Sequence, residues 1–132
     1  MSTLTNGATT ITLPDHLEWI DEFDFSAVAQ RAGRGVTGVL YVDEVALSGG
    51  RPITLQGAED RWLIRSVLDT LQAWAQTPGV TMTLTLRGTA YTVTFDRRGG
   101  KAIEARAVGW LGWHGDVQAG DAYVVTVHLL VI

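Results

Sequence analysis

RWLIRSVLDTLQAWAQTPG, residues 61–79, is the one stretch of this chain with a clear helical pattern. Apolar side chains recur at steps of three and four residues, which places them on one stripe of a helix. These residues are Ile64, Val67, Leu68, Leu71, Trp74 and Ala75. Ser66 precedes Asp69 by three residues, a spacing that resembles a capping box, and Pro78-Gly79 ends the pattern. The sequence therefore predicts a helix over about 66–76, with Asp60 as an alternative cap one turn earlier.

The rest of the chain has strand and loop patterns. A single helix of this length is marginal in water, so its apolar stripe must pack on a sheet. Short alternating or apolar runs predict strands at 10–13, 26–30, 36–43, 53–56, 80–87, 91–95, 102–108 and 122–132. Apolar residues fall on both faces of 36–43, which predicts a central strand or one covered by a partner. We expect one α+β domain over 1–132, a mainly antiparallel β-sandwich or open barrel with one packed helix, and a mobile segment at about 1–9.

Composition excludes several classes of protein. The 132 residues carry a net charge of −4 and no cysteine. Mild acidity argues against a dedicated nucleic-acid binder, and the lack of thiols excludes disulfide scaffolds, thiolate zinc sites and cysteine catalysis. No signal peptide or apolar run of membrane-spanning length is present, so we expect no membrane insertion.

The polar residues show no catalytic or metal-binding pattern. The acidic groups around 21–24, 43–44 and 59–60 are sequence neighbours, which on strands point to opposite faces and are typical of solvated surface. His16, His114 and His128 lack metal-ligand spacing. No serine lies in a nucleophile elbow, and the Arg98–Lys101 run lacks the spacing of a phosphate loop. We therefore expect no enzyme activity, no cofactor and no metal.

Surface chemistry instead points to assembly. Basic residues mark three predicted loops, at 31–35, 48–52 and 97–101, and Trp19, Trp110 and Trp113 lie in acid- or glycine-rich segments. Tryptophan in such segments is typical of protein interfaces, whereas Trp62 and Trp74 lie beside the helix and are expected in the core. The interface candidates are Arg31, Arg34, Arg51, Arg97, Arg98, Lys101, Trp110 and Trp113.

Five features together have a recognisable pattern: LPDHLEWIDEFDFSAVAQ (13–30), GRPITLQG (50–57), the Trp62 helix, the closing hairpins and DAYVVTV (121–127). In these features, most of the chain resembles small tail and baseplate proteins of bacteriophages. It implies the tail-tube-like fold of tube, distal tail and tube-extension ("ripcord") proteins. In that family, subunits form rings, commonly hexameric, whose sheets join into a continuous barrel around the DNA channel.

The resemblance also implies partners and a location. The partners would be copies of this chain and neighbouring tail tube, sheath or baseplate proteins, with DNA only as passing cargo. The location would be the virion tail, after assembly in the host cytoplasm. A second hypothesis is a ligand-binding module in which Trp19, Trp110 and Trp113 stack on sugars or bases.

Overall fold

A computed structural model describes residues 2–14, 17–58, 62–107 and 120–132. It contains eleven strands and one helix among these residues. In chain order they are β1 (Ser2–Asn6), β2 (Thr9–Leu13), β3 (Glu18–Trp19), β4 (Val28–Arg34), β5 (Leu40–Ala46), β6 (Pro52–Gln56), β7 (Leu63–Ile64), α1 (Arg65–Ala75), β8 (Met82–Leu86), β9 (Thr89–Phe95), β10 (Ile103–Ala107) and β11 (Ala122–Val131). Mostly antiparallel sheet with a single helix confirms the predicted α+β class, including four strands after the helix.

Strand β11 organises the sheet. Nine strands form one sheet in the order β2-β1-β8-β9-β11-β6-β3, and β7 and β10 also pair with β11. Along one edge, β11 pairs with β9 and β10, and along the other with β6 and β7. The ten residues of β11 have one buried face, with Val125, Val127 and Leu129, while Thr126, His128 and Leu130 of the other face are half-buried.

The main core is built mostly by strand residues of the sheet, and α1 packs its apolar stripe against it. Leu71 is fully buried, while Val67, Leu68, Trp74 and Ala75 are half-buried against the same cluster. The predicted stripe is therefore largely confirmed. Ile64 is the exception, because it lies in β7 with its side chain exposed.

The start of α1 differs from the prediction. The helix begins at Arg65, the N-cap is Ile64, and no side chain caps it. The Arg65 N–H instead donates to the Asp121 carbonyl at 2.9 Å, so a neighbouring backbone satisfies one of the free amide groups at the helix N-terminus. Ser66 lies inside the helix, where its carbonyl accepts a hydrogen bond from the Thr70 hydroxyl. The predicted Ser66 cap is wrong for this reason.

The N-terminal segment is ordered in a strand, contrary to the expected mobile region at 1–9. Strand β1 pairs with β2 on one edge and with β8 on the other, and Leu4 is fully buried. Alternation over Thr3-Leu4-Thr5 sends Leu4 into the core and the two threonines to the opposite face. Five residues are too short a run for this alternation to be distinguished from a polar tail.

A threonine face covers the outside of four neighbouring strands. Thr3 is opposite Thr12 and Thr85, and Thr5 is opposite Thr10 and Thr83. No residue of β1, β2, β8 or β9 is charged. The inner residues of the same strands are buried leucine, isoleucine, methionine, valine and phenylalanine. We call the outer surface the threonine face.

Strands β4 and β5 form a separate two-stranded sheet, which we call the arm. Its seven pairs run from Val28↔Ala46 to Arg34↔Leu40 and extend for about 24 Å. This corrects two predictions. Residues 31–34 are strand rather than flexible connection, and 36–43 is not one strand, because the turn of the hairpin occupies 35–39.

Candidate assembly interface

The arm exposes apolar side chains on both of its faces. From 26 to 50, every residue is exposed except the half-buried Gly33. Eight of the thirteen large exposed apolar side chains of the described residues lie here, each at least 44% exposed. They are Val28, Val36, Val39, Leu40, Tyr41, Val42, Val45 and Leu47. An apolar surface of this kind on a soluble protein marks an interaction site.

Local contacts give the arm its shape. Gly38 has a φ of 85°, a conformation that favours glycine, and its N–H donates to the Gly35 carbonyl at 3.0 Å. The Tyr41 ring lies over Gly33, where an added Cβ would come within 2.5 Å of the Tyr41 hydroxyl oxygen. The Gln30 side-chain amide donates to the Glu44 carboxylate at 2.7 Å. These contacts lie within the hairpin, and a two-stranded hairpin alone is at best marginally stable in water.

The base of the arm is fixed to the body. The Gly50 N–H donates to the Val131 carbonyl at 2.7 Å, and the Val131 N–H donates to the Arg51 carbonyl at 2.8 Å. Gly49 lies so close to the last strand that an added Cβ would be 3.5 Å from the Val131 carbonyl oxygen. The arm therefore projects from a rigid base rather than from a loose linker.

Trp19 is buried in the body, and Arg51 is half-buried against it. Trp19 is buried, with the Arg51 guanidinium carbon 4.7 Å from its ring centroid and the Tyr91 ring edge-on at 6.1 Å. Arg51 Nη2 also donates to the Glu22 carbonyl at 2.8 Å. The expectation that Trp19 is exposed for stacking on a ligand is wrong, because its ring is buried beneath Arg51. Arg51 is half-buried in this contact, and its interface role stays a prediction.

Two carboxylates allow Trp19 to be buried within an acidic stretch. Asp21 accepts the Thr54 N–H at 2.9 Å and the Thr54 hydroxyl at 3.0 Å. Glu22 pairs with Arg87 at 2.7 Å. These contacts fix residues 19–22 to β6 and to the turn between β8 and β9. Asp21 and Glu22 are consequently half-buried structural groups rather than solvated surface.

The basic loop at 97–101 divides among three roles. Arg97 Nη2 donates to the Ala75 carbonyl at 2.9 Å at the end of α1, and its guanidinium carbon lies 5.5 Å from the Phe95 ring centroid. Arg98 pairs with Asp96, and Lys101 is exposed. Arg97 and Lys101 line a groove of about 1000 Å³ between α1 and β10, together with Arg65, Asp69 and Glu104. Only Lys101 of this loop keeps the exposed, uncommitted character predicted for an interface.

The Asp96–Arg98 pair predicts a small dependence of stability on pH. Arg98 Nε and Nη2 each donate to the Asp96 carboxylate at 2.9 Å, and these bonds hold the pKa of Asp96 below its usual value. The stabilisation is complete above the unfolded pKa and is lost as pH falls through the lower folded pKa. We expect Asp96→Asn to lower Tm by about 1–3 °C at neutral pH, and we expect the difference to shrink as pH falls below 3.8, the ordinary pKa of an aspartate. Thermal melts of both proteins across this range test it, and a constant difference would contradict it.

The remaining candidates fall in two groups. Arg31 and Arg34 both lie in β4 of the arm, where their spacing of three residues places the two side chains on opposite faces. Trp110, Trp113, His16 and His114 lie outside the described residues. Trp62, expected in the core, is exposed, whereas Trp74 is half-buried as predicted.

Catalytic and metal chemistry have no visible centre in the described part of the chain. No group of three or more histidine or acidic side chains there is placed to hold a metal ion. His128 Nε2 lies 3.7 Å from Glu104 on the outer side of β10 and β11, with no nucleophile beside the pair among the described contacts. Within the same ranges, no helix has both the length and the apolar character needed to cross a bilayer.

The arm is not among the structures predicted from the sequence, although the sequence contains two features typical of a hairpin. Val39, Leu40, Tyr41 and Val42 place apolar residues at adjacent positions, and Gly35 and Gly38 supply a turn between two runs of similar length. Comparisons with protein-family models, with curated proteins and with solved structures identify no match to this chain.

Proposed function

We propose that this chain is a structural subunit of a bacteriophage tail or baseplate, forming a ring coaxial with the tail tube and joining the tube to baseplate components. The observation that carries the proposal is the arm, a hairpin whose apolar side chains have no cover within the described body. A second copy that covers it would supply what the single chain lacks. The tail-tube-like assignment of the sheet belongs to the same proposal and rests on the sequence resemblance.

The energetics of the arm favour a closed ring over a single pair of copies. Covering each of the eight exposed apolar side chains of residues 28–47 would contribute about 1 kcal/mol, less than for full burial, because a neighbouring strand covers each of them only in part. The gross gain of about 8 kcal/mol is comparable to the cost of associating two proteins. In a ring each subunit makes two such contacts, which makes the closed assembly much more stable than a single pair.

The threonine face supports a channel that DNA passes through. It is polar and free of charge over four strands, so it offers no cation to hold a phosphate and no carboxylate to repel one strongly. The net charge of −4 also disfavours retention of DNA. We assign this face to the channel side of the ring.

The ligand-binding alternative loses one of its tryptophans. Trp19 is buried between Arg51 and Tyr91, where a sugar or base cannot stack. Among the described tryptophans only Trp62 is exposed, and a single ring gives little stacking affinity.

Electron microscopy of the purified chain, together with sedimentation analysis, tests the proposal. We expect closed rings in the micrographs and one large species in sedimentation. Deleting the gene from its phage should leave particles without complete tails. Morphologically normal tails in the deletion strain, or a chain that stays monomeric at every concentration, would contradict the proposed role.

A further inference from the structure

We propose that neighbouring copies join through their arms, edge to edge, with β4 of one copy pairing with β5 of the next. This inference rests on the ring proposed above and adds the strands and the direction of the contact. In the part of the chain that the structure describes, β4 and β5 pair only with each other. Each therefore keeps one edge of backbone donors and acceptors that another strand can pair with.

The two edges of the arm carry opposite charge. Strand β4 contains Arg31 and Arg34 and no acidic residue. Strand β5 contains Asp43 and Glu44 and no basic residue. Opposite charges across a strand pair are favourable and like charges are unfavourable. Pairing of β4 with β5 of another copy is therefore matched, whereas β4 with β4, or β5 with β5, places like charges together.

A matched contact of this kind uses two different surfaces of the same chain. Such head-to-tail contacts close into rings when the rotation between copies allows it, whereas a contact of one surface with itself stops at a dimer. The charge pattern of the arm thus favours a ring over a two-fold pair.

The strand directions agree with this arrangement. Copies related by rotation about a ring axis keep their arms pointing the same way, so β5 of one copy runs antiparallel to β4 of the next. In the register that repeats the intramolecular one, Asp43 of one copy lies opposite Arg31 of the next, just as it lies opposite its own Arg31. The result is a ladder of alternating charge around the ring. The apolar side chains of adjacent arms then meet on both faces of one continuous ribbon.

Charge variants of the arm test the pairing directly. Arg31→Glu/Arg34→Glu makes both edges acidic, and Asp43→Lys/Glu44→Lys makes both edges basic. We expect each variant alone to need at least a 100-fold higher concentration than wild type to assemble, because every junction joins like charges. An equimolar mixture should assemble near the wild-type concentration, since each junction then joins an acidic edge to a basic one. Native mass spectrometry of the mixture should show the two variants alternating in even-numbered rings.

The fourfold variant that carries all these changes is the matched control. It keeps the wild-type net charge and restores the cross-strand pairs within the arm, so we expect it to assemble alone but not to mix with wild type. Two results would overturn the proposed pairing but not the ring, provided that the wild type forms rings. One is that either double variant assembles normally by itself, and the other is that the mixture stays dissociated. A wild-type chain that forms no ring would instead overturn the proposed function together with this inference.

Discussion

Removing the arm should convert the assembled protein into a monomer whose body folds normally. Residues 28–46 can be replaced by a short glycine–serine turn, because the Leu47 N–H already donates to the Ala27 carbonyl at 2.7 Å. No arm residue belongs to the main core, so its loss leaves the packing of the body unchanged. Sedimentation and thermal melts measure the two outcomes separately. We expect complete loss of the large species and a cooperative melt of the body.

A milder variant separates the apolar surface from the hairpin backbone. Val28→Ser, Val42→Ser and Val45→Ser together keep β4 and β5 paired but remove three of the exposed side chains. Assembly should weaken strongly, by about 1 kcal/mol for each site. Thr37→Ser at the turn is the matched control and should assemble as wild type. If the deletion variant that lacks residues 28–46 still forms rings, the contact between copies lies elsewhere on the body.

Leu71→Asp should prevent the chain from folding into a soluble body. Leu71 is the fully buried residue of α1, and a carboxylate there would be desolvated without a partner. Leu71→Ala, which leaves a cavity instead of a charge, should lower the free energy of unfolding by about 2–5 kcal/mol. Soluble yield and denaturant melts measure both changes.

Gln72→Asp is the control for this substitution. It introduces the same carboxylate one residue along the same helix, at an exposed position. We expect normal yield and a change in the free energy of unfolding below about 0.5 kcal/mol. A Leu71→Asp protein with a wild-type melt would show that α1 does not cover the core.

The sequence predicts what repeats locally. The period of 61–79 gives the helix and its buried side, and Met82, Leu84 and Leu86 give the strand before the turn at Arg87 and Gly88. Both central residues of that turn have positive φ, which fits a tight hairpin, and the strand ends at Leu86 rather than at residue 87 as predicted. Such features are readable because side chains three, four or two residues apart share a face.

What the sequence does not predict depends on distant partners. The helix begins at Arg65 because its N–H meets the carbonyl of Asp121, which lies more than fifty residues away. Trp19 is buried because Thr54 and Arg87 bind the acidic residues that follow it. No local pattern shows such pairings, and the sequence alone therefore predicts that the acidic and aromatic residues of 19–24 lie on the surface.

The candidate interface likewise combines features that the sequence predicts with features that it does not. Apolar residues on both faces of 36–43 predict a central strand or one covered by a partner. The structure shows instead a turn followed by the exposed strand β5, and cover by a partner stays a prediction. The sequence predicts Arg31 and Arg34 in a basic loop. The structure places them in β4, where they give one edge of the arm its positive charge. Arg51 and Arg97 are interface candidates because of their charge alone, whereas in the structure both guanidinium groups stack on aromatic rings of the body.

The position of β11 has a consequence for biosynthesis. It follows in the chain every strand with which it pairs, so β6, β7, β9 and β10 leave the ribosome before their common partner exists. Synthesis at about 5–20 residues per second is slow compared with formation of a hairpin, which takes about 1–10 μs. The local contacts of the arm are therefore available while the body is still open. The body cannot close until residues 122–131 have been synthesised.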